Sequence, residues 1–377
     1  AGCFAIRCRI APAMSPATRG RAQMKVMQTL PGTAAALTPE WLSDALGTHV
    51  SAVEVLDHAF ATNQRARIGM TYAEPGAGPA TLFAKLAPLD PAHRQMIGAT
   101  GMAEREAQFY ADVAPTATAE VRVPRAYYAA TAADDTFVIL LEDLSVRGCR
   151  FSNGEWGVSA DAAAGALEDL ARFHGRFSDP AVRAAVAPWL AAPRPSMSEA
   201  TAQLMRHVLD THRDELGEDY ATVGEMYVTH HAAMDELWNA GYPTYVHGDP
   251  HIGNVFLDGA RVGFLDWGLS RVATPLRDVS YFLTMTMDPD ERRRVERDLW
   301  RLYLDALRAA GGPEIGVDEA WTAHRFQASY TVVATFLSFM PSYATADGRA
   351  LGAALRSRAD EALADLDVVD ALRAALT

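Results

Sequence analysis

Cysteine is nearly absent. Three stand in 377 residues, with Cys3 and Cys8 near the amino terminus and Cys149 alone. Neither a disulfide framework nor a zinc-type pattern can be drawn from them, and a reducing cytoplasm is the expected compartment. Long apolar runs are lacking too: none approaches the ~20 residues that span a bilayer, so no membrane partner is expected. Positive charge is scarce, with 34 Lys and Arg against 47 Asp and Glu, a net charge of -13 and a pI near 5.3. That balance argues against nucleic acid, which normally demands a basic face, and permits a cationic substrate. There is no internal repeat and no low-complexity linker.

What is present is an ordinary globular composition, 49% hydrophobic and 21% charged. At this length it suffices for two domains, or for one large domain in two lobes. Residues 1–39 stand apart, with no Asp or Glu but with Arg7, Arg9, Arg19, Arg21 and Lys25. The bias suits an organelle transit segment, or a disordered extension upstream of a start at Met24 or Met27. In either case residues 1–37 are expected to lie outside the fold.

Thr38-Pro39-Glu40 is a helix start, with Thr as N-cap, Pro at the first helical position and an acid in the first turn. Strand patterns follow at residues 50–60, 66–72 and 79–87, then a helix over 101–113 and strands at 124–130 and 136–141. Beyond Asp143 the pattern becomes helical, at 160–177, 200–216, 221–239 and nearly all of 289–376. One island interrupts it, residues 245–267, where two strand-like runs flank the hairpin dipeptide Asp258-Gly259. The reading is an α+β, bilobal protein-kinase-like fold. Residues 38–143 would form a small nucleotide-binding lobe of antiparallel sheet plus helix. Residues 144–377 would form a larger, mostly helical lobe with the catalytic loop, metal site and acceptor site.

The island carries the chemistry. His247-Gly248-Asp249 is followed five residues after the Asp by Asn254, then by Asp266-Trp267-Gly268. Protein-kinase catalytic machinery has the same spacings, with Phe where Trp267 stands. A hydroxyl nucleophile needs a carboxylate near its proton, which Asp249 supplies. Charge on transferring phosphates calls for a hard divalent cation with oxygen ligands, which Asn254 and Asp266 supply. Turn-capping by the two acids is the bland alternative. His247 and His251 are assigned to loop architecture, since a His-based metal trio would favour transition metals over Mg²⁺. Asp278 is expected to brace the loop.

Lys85 lies in the apolar run Leu82-Phe83-Ala84-Lys85-Leu86 and must find a partner or lose its charge. Glu106 on the following helix is the expected partner; Glu104 points to another face. The stretch holding Leu141, Glu142 and Leu144, where the lobes should join, could pair with adenine. The segment Ala61-Thr62-Asn63-Gln64-Arg65 has no glycine-rich phosphate loop. Phosphate contact and a plain hairpin turn are both open there.

With these residues in hand, the sequence resembles the aminoglycoside phosphotransferase and choline kinase superfamily. His247 to Asn254 and Asp266-Trp267 carry the resemblance. Leu140-Leu141-Glu142-Asp143-Leu144 and Glu106-Ala107-Gln108-Phe109-Tyr110 are more similar to the ecdysteroid kinase-like branch. The resemblance implies an ATP- and Mg²⁺-dependent phosphotransferase acting on a small-molecule hydroxyl acceptor. It implies Asp249 as base, Asn254 and Asp266 on Mg²⁺, Lys85 and Glu106 at the phosphates, and Leu141–Leu144 at adenine. The alternative is a catalytically inactive nucleotide-binding regulatory module of the same fold. Residues 330–343 could line an acceptor pocket or form a core stripe. The acidic run 210–219 could attract amines or be a solvated face.

Overall fold

A computed structural model describes residues 29–60, 62–192, 196–340 and 345–376. Residues 1–28 of the expected extension, Ala61 and residues 341–343 of the aromatic stretch lie outside the described residues. Residues 29–37 belong to the fold after all, since Leu30, Ala34 and Leu37 are buried in its core beside Trp41 and Leu42. The chain divides into two compact units, residues 1–118 with 123–148 and residues 119–122 with 149–377. Among the described residues no helix is long and apolar enough to cross a membrane.

The first unit opens with α1 (Pro39–Leu46), where the Thr38 hydroxyl accepts from Trp41 N at 3.2 Å and Gly47 closes the helix at φ 69°. The capping signals read in the sequence therefore act as caps. Five strands follow: β1 (Val50–Phe60), β2 (Gln64–Tyr72), β3 (Thr81–Leu86), β4 (Ala126–Thr131) and β5 (Phe137–Glu142). They form one antiparallel sheet in the order β1-β2-β3-β5-β4. Ile68, Leu82, Ala84, Leu86, Val138 and Leu140 are buried against Leu42 and Trp41. Each large apolar side chain so buried contributes roughly 1.5–3 kcal/mol. Two helices lie between β3 and β4, α2 (Pro91–Thr100) and α3 (Met102–Gln108).

The helix expected over 101–113 is found over 102–113 but changes character on the way. Gly101 is left-handed at φ 65°, and Phe109–Val113 continues α3 as a wider π-helical turn. The expected loop at 61–65 shrinks. Phe60 pairs with Gln64, and Gln64 and Arg65 already belong to β2. The Gln64 amide, buried in the sheet, donates to Gly32 O and Ala87 O, a structural use.

The second unit is mostly helical: α4 (Ala160–Ser178), α5 (Pro180–Val186), α6 (Ser198–His212) and α7 (Glu218–Asn239), the last kinked at His230. Short strands β6 (Thr244–Val246), β7 (Val255–Asp258), β8 (Arg261–Phe264) and β9 (Arg271–Ala273) pair as β6–β9 and as the β7–β8 hairpin. Six α-helices follow among the described residues: α8 (Pro275–Thr286), α9 (Pro289–Ala309), α10 (Val317–Gln327), α11 (Tyr330–Thr335), α12 (Ala346–Asp365) and α13 (Val368–Ala375). The acidic run over 210–219 is a solvated face, where His212 pairs with Glu215 and Arg213 with Glu218. In the aromatic stretch Val332 and Phe336 are core, whereas Tyr330 is half-buried.

Candidate active site

β6 delivers the chain into the loop His247-Gly248-Asp249-Pro250-His251, and a turn over Ile252–Asn254 returns it into β7. Gly248 has φ 86°, and a Cβ there would sit 2.4 Å from Leu269 O. Only glycine fits, so the arginine of protein kinases could not stand here. The return brings Asn254 back to Asp249: its amide Nδ2 donates to Asp249 O at 3.0 Å and to Asp249 Oδ2 at 2.9 Å. The Asn254 amide oxygen is thereby left as its ligand atom.

The β7–β8 hairpin carries the second acid into place. Val255 pairs with Phe264, and Leu265 N donates to Asn254 O at 2.8 Å, so Asp266 follows directly beside the loop. Asp266 itself is left-handed, at φ 56° and ψ 68°. Such a backbone costs on the order of 1–2 kcal/mol outside glycine, and Asp is among the few residues that tolerate it. Trp267, fully buried, stacks 4.5 Å from His247 and 5.3 Å from Phe173 of α4, which fixes the turn from behind.

Asp249 keeps 19% of its side chain exposed. Burial of the rest pushes its carboxyl well above the usual range, and the Asp266 charge pushes it further; hydrogen bonds from Tyr281 and Asn254 and the Arg277 charge oppose this. His247 and His251 act as loop struts. His247 accepts from Asp249 N at Nδ1 and donates from Nε2 to Leu265 O at 2.7 Å, a neutral tautomer. His251 accepts from Gly253 N at 3.0 Å, and its Nε2 lies 3.6 Å from Asp249 Oδ2, too far for a hydrogen bond. Burial lowers both, His251 to about 4.

Asp278, on the first turn of α8, accepts from His247 N at 2.6 Å and Gly248 N at 2.8 Å, which holds the loop backbone. Behind it His174 Nε2 lies 3.3 Å from Asp278, and His174 Nδ1 bonds Tyr303 at 2.8 Å. Burial favours the neutral form of Asp278, but the hydrogen bonds from His174 and the Gly248 N–H, with the electrostatic pull of the neighbouring imidazoles, outweigh it, and its carboxyl is held low. Sequence reasoning found Asp278 and missed His174, Tyr303 and Tyr281. Their partners lie far away along the chain and leave no spacing signature.

In the first unit, Lys85 on β3 is buried and meets Glu106 of α3 at 2.8 and 2.6 Å. Glu104 instead receives Gln108 on the exposed side. One further signal was available: Lys25 and Lys85 are the only lysines in the chain, beside 32 arginines. Leu141 and Leu144 are buried and Glu142 half-buried at the end of β5, where Phe83 pairs with Leu141 and Leu82 with Glu142. Arg147 and the Arg125 backbone hold Glu142, at 3.1 and 2.8 Å.

Asp266, Asn254 and the adjacent Asp249 offer two carboxylates and an amide oxygen in a pocket where one acid already feels the other's charge. A hard divalent cation that keeps some of its water fits that donor set. Among the described residues no three His, Cys, Asp or Glu side chains form a metal-ligating group.

No curated protein matches the chain. Solved structures do. A choline/ethanolamine kinase family protein from Mesorhizobium loti is 17% identical over 86% of this chain and 92% of its own, with a TM-score of 0.46. The choline kinase LicA from Streptococcus pneumoniae is 11% identical over 86% and 97%, with a TM-score of 0.47. The macrolide 2'-phosphotransferase MphH from Brachybacterium faecium is 16% identical over 83% and 96%, with a TM-score of 0.45. The model of the ecdysteroid kinase-like family matches residues 58–311, most of both units, and the chain belongs to that kinase-like family.

Proposed function

We propose that the chain is an ATP- and Mg²⁺-dependent phosphotransferase that moves the γ-phosphoryl group onto a hydroxyl of a small molecule. The observation that carries the reading is the Asn254 amide bonded to the Asp249 carboxylate at 2.9 Å, with the Asp266 charge acting on the same carboxylate. Asp249 orients the acceptor hydroxyl and takes its proton as the oxygen–phosphorus bond forms and the bond to the departing ADP breaks. Asn254 and Asp266 hold Mg²⁺, which when bound offsets phosphate charge. Lys85, oriented by Glu106, grips the phosphates. The backbone around Leu141, Glu142 and Leu144 meets adenine.

A screen of hydroxylated metabolites and antibiotics for acceptor-dependent ADP release tests this directly. Asp249→Asn is expected to lose at least ~10²-fold in turnover while keeping its thermal stabilisation by Mg-ATP. Turnover within tenfold of wild type would remove Asp249 as the base. An amine-reactive acyl phosphate of ATP should label Lys85 and spare it when excess Mg-ATP is added. Labelling of Lys25 alone would count against the phosphate role. A regulatory module would bind Mg-ATP yet release no ADP with any acceptor.

A further inference from the structure

One turn behind Tyr281, on the same face of α8, stands Arg277. Tyr281 is the tyrosine that bonds the Asp249 carboxylate, and its ring lies 6.3 Å from His251 and 5.4 Å from Tyr330. The Arg277 guanidinium covers the Tyr330 ring at 3.7 Å. An unbroken line of side chains thus runs from the catalytic loop through two tyrosines to one cation.

That cation is poorly compensated. Arg277 is 3% exposed, its single side-chain bond is a long one to Asn239 Oδ1 at 3.4 Å, and its buried Nε has no partner among the described residues. No carboxylate of the described residues forms an ion pair with it. Asp235 of α7 and Asp249 both feel its charge, but neither forms an ion pair with it. A buried guanidinium with spare donors is costly unless something anionic completes it. Around it Tyr330 and Asp249 are part-buried and Asn239 is exposed.

The position also excludes something. A cationic acceptor, whether an amino alcohol or an amino sugar, would seek the face of an aromatic ring near the base. On Tyr330 the Arg277 guanidinium already occupies one face, and a second positive charge beside it would be repelled.

We propose that Arg277, flanked by Tyr281 and Tyr330, recognises the acceptor, which is an alcohol bearing a carboxylate or similar anion on an apolar body rather than a cationic amino alcohol. This deepens the phosphotransferase reading and rests on it. Arg277 binds the anion, the tyrosine rings pack the apolar body, and the hydroxyl is presented to Asp249.

The test uses matched probes: hydroxymethylbenzoate, its methyl ester and hydroxymethylbenzylamine, with hydroxycaproate and aminohexanol as an aliphatic pair. Thermal shift of the full chain in Mg-ATP reads binding. Each carboxylate is expected to stabilise wild type more than its amine counterpart, by an affinity ratio of at least ~10-fold, and the ester should fall between. Arg277→Gln should erase the ratio and Arg277→Lys should keep part of it. A purely structural arginine would lower the melting temperature and leave the ratio unmoved. An equal or stronger response to the amines in wild type, or an unchanged ratio in Arg277→Gln, overturns the proposal. Acceptor-dependent ADP release is measured separately. Its absence with every acceptor would sink the phosphotransferase reading, whereas its presence with amines alone would sink only the acceptor class.

Discussion

A buried histidine outside the loop, His324, shows how a single side chain bears on this protein's acid tolerance. His324 of α10 is fully buried, with Nδ1 on Ser280 at 2.8 Å and Glu296 3.5 Å from Nε2. Burial lowers its pKa from 6.5, and the Glu296 interaction only partly restores it. Below pH ~6.5 the unfolded chain therefore binds a proton at this position that the folded chain refuses. Stability falls as pH drops through that value and levels off once the folded form also titrates. His324→Gln is expected to melt lower than wild type at pH 7.5 but to lose less between pH 7.5 and 5.5. Parallel declines in a calorimetric comparison would exclude His324 as a source of the slope. His174 works differently, since Asp278 and Tyr303 bind both its nitrogens. The loop it braces was legible residue by residue because His247, Asp249, Asn254 and Asp266 lie within twenty positions. Its support was not legible: His174 and Tyr303 stand 129 residues apart and meet only through packing.

The ion pair of Lys85 with Glu106 belongs to the scale of elements, because it ties β3 to α3 across 21 residues of sequence. Both side chains are nearly sealed, at 6% and 5% exposed. Removing either partner strands the other charge at a cost of about 3–5 kcal/mol, whereas replacing both with apolar residues of similar size restores much of it. Chemical denaturation of Lys85→Met, Glu106→Leu and the double variant should show this non-additivity. The double variant should still lack stabilisation by Mg-ATP, and full nucleotide stabilisation in it would confine the pair to a structural role. Legibility at this scale followed periodicity. α1 declared itself through its caps, β2 through alternation and β5 through a continuous apolar run. α8 did not, because every residue of Pro275–Thr286 is buried, Arg277, Asp278 and three Ser and Thr residues included, so polarity along it does not mark a solvent face. β9 was missed because three residues carry no pattern. α2 is different: Asp90 caps it by accepting from His93 N at 2.7 Å, and Pro91 opens it, so its start signals were present and passed over.

Across the whole molecule the acidic excess has a consequence for catalysis. A net charge of -13 surrounds a site proposed to take Mg-ATP and an anionic acceptor, both of which carry the same sign as the protein. Encounter must then proceed against a repulsive field, relieved locally by Lys85 and Arg277 but not at long range. Salt shortens the reach of that field from about 30 Å at 0.01 M to about 8 Å at physiological ionic strength. The second-order rate constant kcat/KM for an anionic acceptor is therefore expected to rise over that interval, by roughly two- to fivefold, with a neutral ester of the same body changing little. Short-range pairing with Arg277 is weakened far less, because a desolvated pair is poorly screened. The opposite trend, a kcat/KM that falls as salt is added, is the behaviour of an acidic protein drawing in a cation. It would return the amino alcohols to consideration and require that the field, not the buried arginine, select the acceptor.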